Sequence, residues 1–204
     1  MIVPPQTCCG RPLYDFGLLD SAREHLQGVF SILTEAAAND TPIVVLEPSC
    51  FAVFRDEAIN LQGERSLARV LADRTQLFST FVRPHLERGE LPAASARALV
   101  HVHCHQRAIV GVEDAIAAGR AAGLRMALPD AGCCGMAGSF GFDKAHYPVS
   151  LQVGERVLLP AVRDAEPDTL IVADGFSCRE QIQQATGRRA YHFAEVLERL
   201  GAVS

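Results

Sequence analysis

The 204-residue chain is 49% apolar and 21% charged with a net charge of −5, and its pI is about 5.8. That composition builds a buried core in one large domain or two small ones. It offers no basic stripe, no Trp and only 6% aromatic residues, which excludes a nucleic-acid surface.

No apolar run approaches the ~18 residues of a membrane span, and the Met1-Ile2-Val3-Pro4-Pro5 start lacks the basic and apolar regions of a signal peptide. Seven cysteines are an odd number for a secreted disulfide scaffold. A reducing cytoplasmic setting fits better, and there clustered cysteines serve metal or redox chemistry.

In chain order, Ile2-Val3 reads as a strand leading to Cys8-Cys9-Gly10. Ser21 to Ala38 has helical apolar spacing. A β-branched run from Pro42 ends at Cys50 and reads as a buried strand, followed by a helix from Phe51 to Leu61. Leu67 to Leu86 reads as one long helix with Leu67, Val70, Leu71, Phe78 and Phe81 inward. Ala98 to Cys104 and Leu124 to Leu128 are further strands, the second leading to Cys133-Cys134-Gly135.

Val149 to Leu159 is a helix with Pro148 in its first turn and Pro160 ending or kinking it. Leu170 starts a strand that leads to Cys178, with a helix over 179–185. Tyr191 to Leu200 is a short strand and closing helix. Strands alternating with helices mean βαβ units and a parallel sheet, whose ligands lie beyond the carboxyl ends of the strands. All seven cysteines are expected at that edge.

The chain repeats itself. Cys8 and Cys133 are 125 residues apart, Cys50 and Cys178 are 128 apart, and Phe-Gly follows each Cys-Cys-Gly, at Phe16-Gly17 and Phe140-Gly141. The expected organisation is therefore α/β, with two pseudo-repeated units of helix-flanked parallel sheet, residues 1–92 and 93–204. The first unit has no counterpart of Cys104. It is expected to lack its opening strand and helix, with Met1 inside a strand, as in an N-terminally truncated fragment, or a start-site error, of a longer protein.

Adjacent cysteines followed by glycine point to a thiolate site: an iron–sulfur cluster, a zinc ion or a redox disulfide. The second unit supplies Cys104, Cys133, Cys134 and Cys178, the four donors of a [4Fe–4S] cluster or a Cys₄ zinc. The first supplies only Cys8, Cys9 and Cys50, a second and weaker or open site. His101, His103 and His105 alternate on a strand end opposite Cys104, which makes them solvent-facing, with His103 or His105 the candidates to support a metal. Gly135 and Arg179 are the other candidate supporting residues, Arg179 by offsetting charge or in a surface pair with Glu180. Lys144 and His146 belong to a solvated turn.

The segments Cys8 to Gly17, Glu47 to Cys50, His103 to His105, Gly132 to Phe142 and Ala173 to Gln181 together resemble the cysteine-rich CCG domain pair. That pair occurs in the B subunit of heterodisulfide reductase and in the C subunit of anaerobic glycerol-3-phosphate dehydrogenase. The chain is most similar to the C-terminal part of FAD-linked, iron–sulfur oxidoreductases of the D-lactate dehydrogenase and glycolate oxidase type, and the similarity covers essentially all of it.

The resemblance implies an electron-transfer module. Its partners would be an FAD-binding dehydrogenase domain that oxidises a 2-hydroxy acid, a ferredoxin-like iron–sulfur domain and a quinone or other acceptor. Any association with a membrane would come through such partners. The alternatives are a zinc-stabilised docking module and a thiol–disulfide reductase half-site. The family pattern ends in Cys-x-x-Cys. Here Gly175 stands where the first of those cysteines would be, and Glu47 stands there in the first unit, so the five-cysteine form is not expected.

Overall fold

The computed structural model describes residues 7–62 and 65–203, so the strand expected at Ile2-Val3 and the position of Met1 lie outside the described residues. The chain divides into two compact units, Met1–Leu77 and Phe78–Ser204. The division falls earlier than the 92/93 boundary expected from the repeat. Helix Phe78–Glu87 packs within the second unit, where Thr80 Oγ and Arg83 Nη1 donate to Asp114 at 2.9 and 2.7 Å.

In the first unit, helices α1 (Arg11–Asp15) and α2 (Leu19–Ala38) precede strand β1 (Ile43–Val45). Helix α3 (Pro48–Ala52), a π-helical turn (Val53–Glu57) and α4 (Ala58–Leu61) then run on as one rod, followed by α5 (Arg65–Arg74) and strand β2 (Thr75–Leu77). Glu47 caps α3 by accepting from the Ser49 backbone N–H at 3.3 Å and its hydroxyl at 2.7 Å, with Pro48 in the first turn. β1 and β2 pair in parallel, Ile43 opposite Thr75. Leu26, Val29, Phe30, Val53, Phe54 and Leu71 form the core of this unit.

The expected single helix from Leu67 to Leu86 is broken by β2. Thr75, Gln76 and Leu77 leave the helix to satisfy their backbone in the ladder with β1, and Thr75 Oγ closes the preceding helix end on Leu71 O at 2.7 Å. The break resets the helical phase. Leu71 is fully buried, but Val70 and Phe81, expected inside, are 38% and 37% exposed.

The second unit continues from α6 (Phe78–Glu87) through β3 (Ala96–His101), α7 (Cys104–Val110), α8 (Glu113–Ala121) and β4 (Leu124–Ala127). A 3₁₀ turn (Phe140–Phe142) leads to α9 (Tyr147–Glu155) and α10 (Leu158–Asp164). Then come β5 (Leu170–Ala173), α11 (Phe176–Thr186), β6 (Ala190–Tyr191) and α12 (Phe193–Val203). The sheet order is β4-β3-β5-β6, and every pairing is parallel.

Successive strand residues face opposite layers, as the period of two requires. Ala98 and Val172 join a core with Ala118, Phe193 and Val196. Leu99, Ile171 and Ala173 join the other, with Leu158, Val162 and Ile182. The α9 helix ends at Glu155 rather than at Pro160. Val157, with φ −148°, breaks it. Pro160 then sits in the first turn of α10, where a backbone N–H would have no intrahelical acceptor.

Candidate metal–thiolate site

Four parallel strands running one way bring their following loops to one edge. The order 4-3-5-6 reverses direction between β3 and β5, the topological switch point at which open α/β sheets bind ligands. Cys104 opens α7 directly after β3, and Cys178 lies in the first turn of α11 after β5. The Cys133-Cys134 pair lies in the loop after β4. Three segments distant in sequence thus place four sulfurs together. Cys133 meets both Cys104 and Cys134, and Cys134 also meets Cys178, through side-chain hydrogen bonds. All four are free thiols.

Their protons are shared unequally. The Cys133 thiol is held down to about 2 by hydrogen bonds from Cys104 and Cys134, helped by the Gly135 N–H, which donates to Cys133 Sγ at 3.3 Å. The Cys178 thiol is also lowered, first by Cys134 and then by His101. Cys104 and Cys134 are pushed up, above all by their contact with the Cys133 thiolate. Cys133 and Cys178 are thus the members of the cluster that give up their protons most readily. Donors rich in sulfur and nitrogen and free of carboxylate select zinc or iron–sulfur over magnesium or calcium.

The glycine of Cys-Cys-Gly is required twice over. Gly135 has φ +100°, and a Cβ there would lie 2.0 Å from the Ser150 carbonyl oxygen. Gln181, with no exposed surface, ties this packing together. Its Nε2 donates to Cys134 O at 3.3 Å, Ser150 O at 3.2 Å and Ser150 Oγ at 3.1 Å.

The first unit repeats the local geometry. Gly10 has φ +82°, and its N–H donates to Cys8 Sγ at 3.4 Å. Cys9 meets Cys50 as Cys134 meets Cys178, and the Cys50 hydrogen bond is the main reason the Cys9 thiol falls to about 7. Cys8 is exposed, and its carbonyl bonds His25 Nε2 at 2.6 Å. Three sulfurs gather there, and Glu47, in the place of a fourth, caps α3.

The histidines depart from expectation. β3 ends at His101, so strand alternation does not carry on to Cys104, and the three rings do not share a solvent face. His101 is 3% exposed and His103 is buried. A ring nitrogen of His101 lies within 4.8 Å of both Cys134 Sγ and Cys178 Sγ, all three donors being mutually that close. The ring contacts the Cys178 sulfur, and among the described residues neither nitrogen has a partner outside the cysteine cluster. Sequence reasoning passed over His101 because it assumed a longer strand. The signal that would have found it is its place directly at the strand's carboxyl end.

His103 caps α7, its Nδ1 accepting the His105 backbone N–H at 3.1 Å, with Cys104 Sγ 3.9 Å away. His105 stacks obliquely on His103, the rings 5.0 Å apart. Arg179 does not pair with Glu180. Its Nη1 donates to Ala173 O at 3.1 Å and to Asp174 O, bracing the end of β5. Lys144 and His146 are exposed as expected, with His146 stacked on Phe140 at 4.4 Å.

Residues 98–183 match the family described as the cysteine-rich domain, CCG. Lactate utilization protein A of Geobacillus kaustophilus is 30% identical over 205 residues, covering 94% of this chain and 82% of that protein. The C subunit of anaerobic glycerol-3-phosphate dehydrogenase from Escherichia coli K12 is 27% identical over 199 residues, covering 94% of this chain and 48% of its own length. D-2-hydroxyglutarate dehydrogenase of Pseudomonas putida KT2440 is 27% identical over 203 residues, 97% of this chain but 19% of that enzyme. The chain thus spans about half the length of the E. coli relative. No solved structure gives a significant match. With the twice-used Cys-Cys-Gly turn and this similarity along nearly its whole length, the chain belongs to the cysteine-rich CCG family that includes lactate utilization protein A.

Proposed function

We propose that this chain is the iron–sulfur electron-transfer module of a flavin-linked 2-hydroxy-acid oxidoreductase, with a [4Fe–4S] cluster held by Cys104, Cys133, Cys134 and Cys178. The observation that carries the reading is the convergence of these four sulfurs at the sheet's switch point, in contact with one another. The relatives support the substrate class, since lactate and 2-hydroxyglutarate are both 2-hydroxy acids.

Such a cluster supplies one-electron exchange between a flavin and a later acceptor such as a quinone. The protein's own part is positional. The Gly135 N–H holds Cys133 Sγ, Gln181 fixes the Cys134 backbone, and Arg179 fixes the strand end before Cys178. FAD and a ferredoxin-like domain belong to partner domains or subunits. Cys8, Cys9 and Cys50 form a second, three-sulfur site of the same design.

A zinc centre is the second reading, favoured by the mixed trio of His101, Cys134 and Cys178 within 4.8 Å. Purification without oxygen, followed by iron, acid-labile sulfide and zinc analysis and a visible spectrum before and after dithionite, tests both. About four iron and four sulfide per second-unit site, with a bleachable broad band, support the cluster. Stoichiometric zinc without that band overturns it. Cys134→Ser is expected to lose the metal; unchanged content would refute the ligand assignment.

A further inference from the structure

We propose that His101 is itself a ligand of the second-unit centre, giving that centre five donors: four cysteine sulfurs and one imidazole nitrogen. This rests on the reading of those cysteines as metal ligands and adds to it.

Tetrahedral bonds of about 2.0–2.3 Å put the donors of one metal about 3.3–3.8 Å apart. The His101 nitrogen, Cys134 Sγ and Cys178 Sγ already lie within 4.8 Å of one another, so shifts of about an ångström complete a shared site. The ring is buried, and its polar contact is with Cys178, itself one of the proposed ligands, rather than with a group outside the site. His101 also lines a cavity of about 20 Å³ that reaches buried Ser79, whose Oγ has no partner among the described residues, and buried Gln106. One water needs on the order of 10–15 Å³. The ring nitrogen not bound to metal thus has room for the polar partner that ligating histidines use to fix their orientation.

The structure also explains why the fifth donor is not a thiol at 175. A Cβ at Gly175 would lie 2.3 Å from His103 Cδ2, 3.2 Å from His103 Nε2 and 3.3 Å from Cys178 Sγ. The His103 ring occupies the room a cysteine there would need. His103 cannot take over as ligand while it caps α7. Its Nδ1 accepts the His105 N–H, so the proton of the neutral ring sits on Nε2 and neither nitrogen offers a lone pair to a metal. His101 caps no helix, and its contact is with the Cys178 sulfur.

The test uses the whole chain purified without oxygen, labelled with ¹⁵N at histidine, and examined by pulsed EPR in the dithionite-reduced state. The expected result is a strongly coupled histidine nitrogen that His101→Gln abolishes and His103→Gln retains. A centre with normal iron and sulfide but no coupled nitrogen, or one whose coupling survives His101→Gln, overturns the inference and leaves the four-cysteine reading intact.

If His101→Gln does not fold, His103→Gln and His105→Gln decide. With glutamine also placed singly at His25, His85, His146 and His192, coupling retained in all six variants assigns the nitrogen to His101, and coupling lost in any of them overturns it. If the metal is zinc, the iron–sulfur reading fails on its own. X-ray absorption at the zinc edge then decides this one, a sulfur–nitrogen shell supporting it and an all-sulfur shell refuting it. A chain with neither metal overturns both.

Discussion

Replacing Gly135 with alanine isolates what the Cys-Cys-Gly turn demands. Two penalties apply. Holding a side-chain-bearing residue at φ +100° costs about 1–3 kcal/mol. The new Cβ would sit 2.0 Å from Ser150 O, so α9 or the cysteine loop must shift, a further cost of about 1–3 kcal/mol. Together they predict a loss of about 2–6 kcal/mol. At about 2–8 °C per kcal/mol for domains of this size, that lowers Tm by roughly 4 °C at the low end and by tens of degrees at the high end.

Gly132→Ala is the internal control. It has φ +62° but nothing within 4 Å of its Cβ, so only the backbone penalty applies. Thermal and urea unfolding of the metal-free, reduced protein would compare the two. If Gly135→Ala and Gly132→Ala lose the same stability within about 0.5 kcal/mol, the close approach to Ser150 is not what requires glycine here.

Gly175→Cys should destabilise the metal-free protein by about 1–3 kcal/mol, because its Cβ would collide with His103. Adding His103→Ala should recover about 1 kcal/mol or more in a double-mutant cycle, and strictly additive unfolding energies would refute the clash. Gln181→Leu leaves Cys134 O and the Ser150 groups without their common donor inside the core. It should cost about 2–4 kcal/mol by denaturant unfolding, and a loss under about 0.5 kcal/mol would show the network to be dispensable. Adding zinc to the metal-free protein at neutral pH should release about two protons at the second-unit site, from Cys104 and Cys134, whose thiols are raised while those of Cys133 and Cys178 are lowered. The sign follows: protons compete with metal, so affinity falls as pH falls. Calorimetry in buffers of different ionisation enthalpy, run on the Cys9→Ser, Cys50→Ser variant to silence the first unit, reads the number. Zero or four protons would refute the shared arrangement.

Local pattern carried a good part of the fold. The short β-branched runs before Cys50, Cys104 and Cys178 became strands with a following helix, because a buried parallel strand has few other ways to be written. Pattern failed where tertiary pairing overrode it. The apolar spacing from Leu67 to Leu86 suits a helix throughout, yet Thr75 to Leu77 do better as a ladder with Ile43 to Val45, which no local window sees. At 156–157 the chain breaks its helix without a proline, and Pro160 serves the next helix instead.

The two Cys-Cys-Gly motifs, their common offset and the inequality of the units are properties of the sequence alone. Residue identity and spacing state them, and the same N–H to sulfur turn at Gly10 and Gly135 gives them a shared shape. The partners of those cysteines are a matter of tertiary structure. His101 is one of three alternating histidines until β3 is seen to stop at it, which turns its ring inward against Cys134 and Cys178. Gly175 is a missing cysteine until the ring of His103 is found in the space its side chain would need. Ligand sets form from residues far apart in the chain, and only the closing of the sheet edge brings their donor atoms within bonding reach.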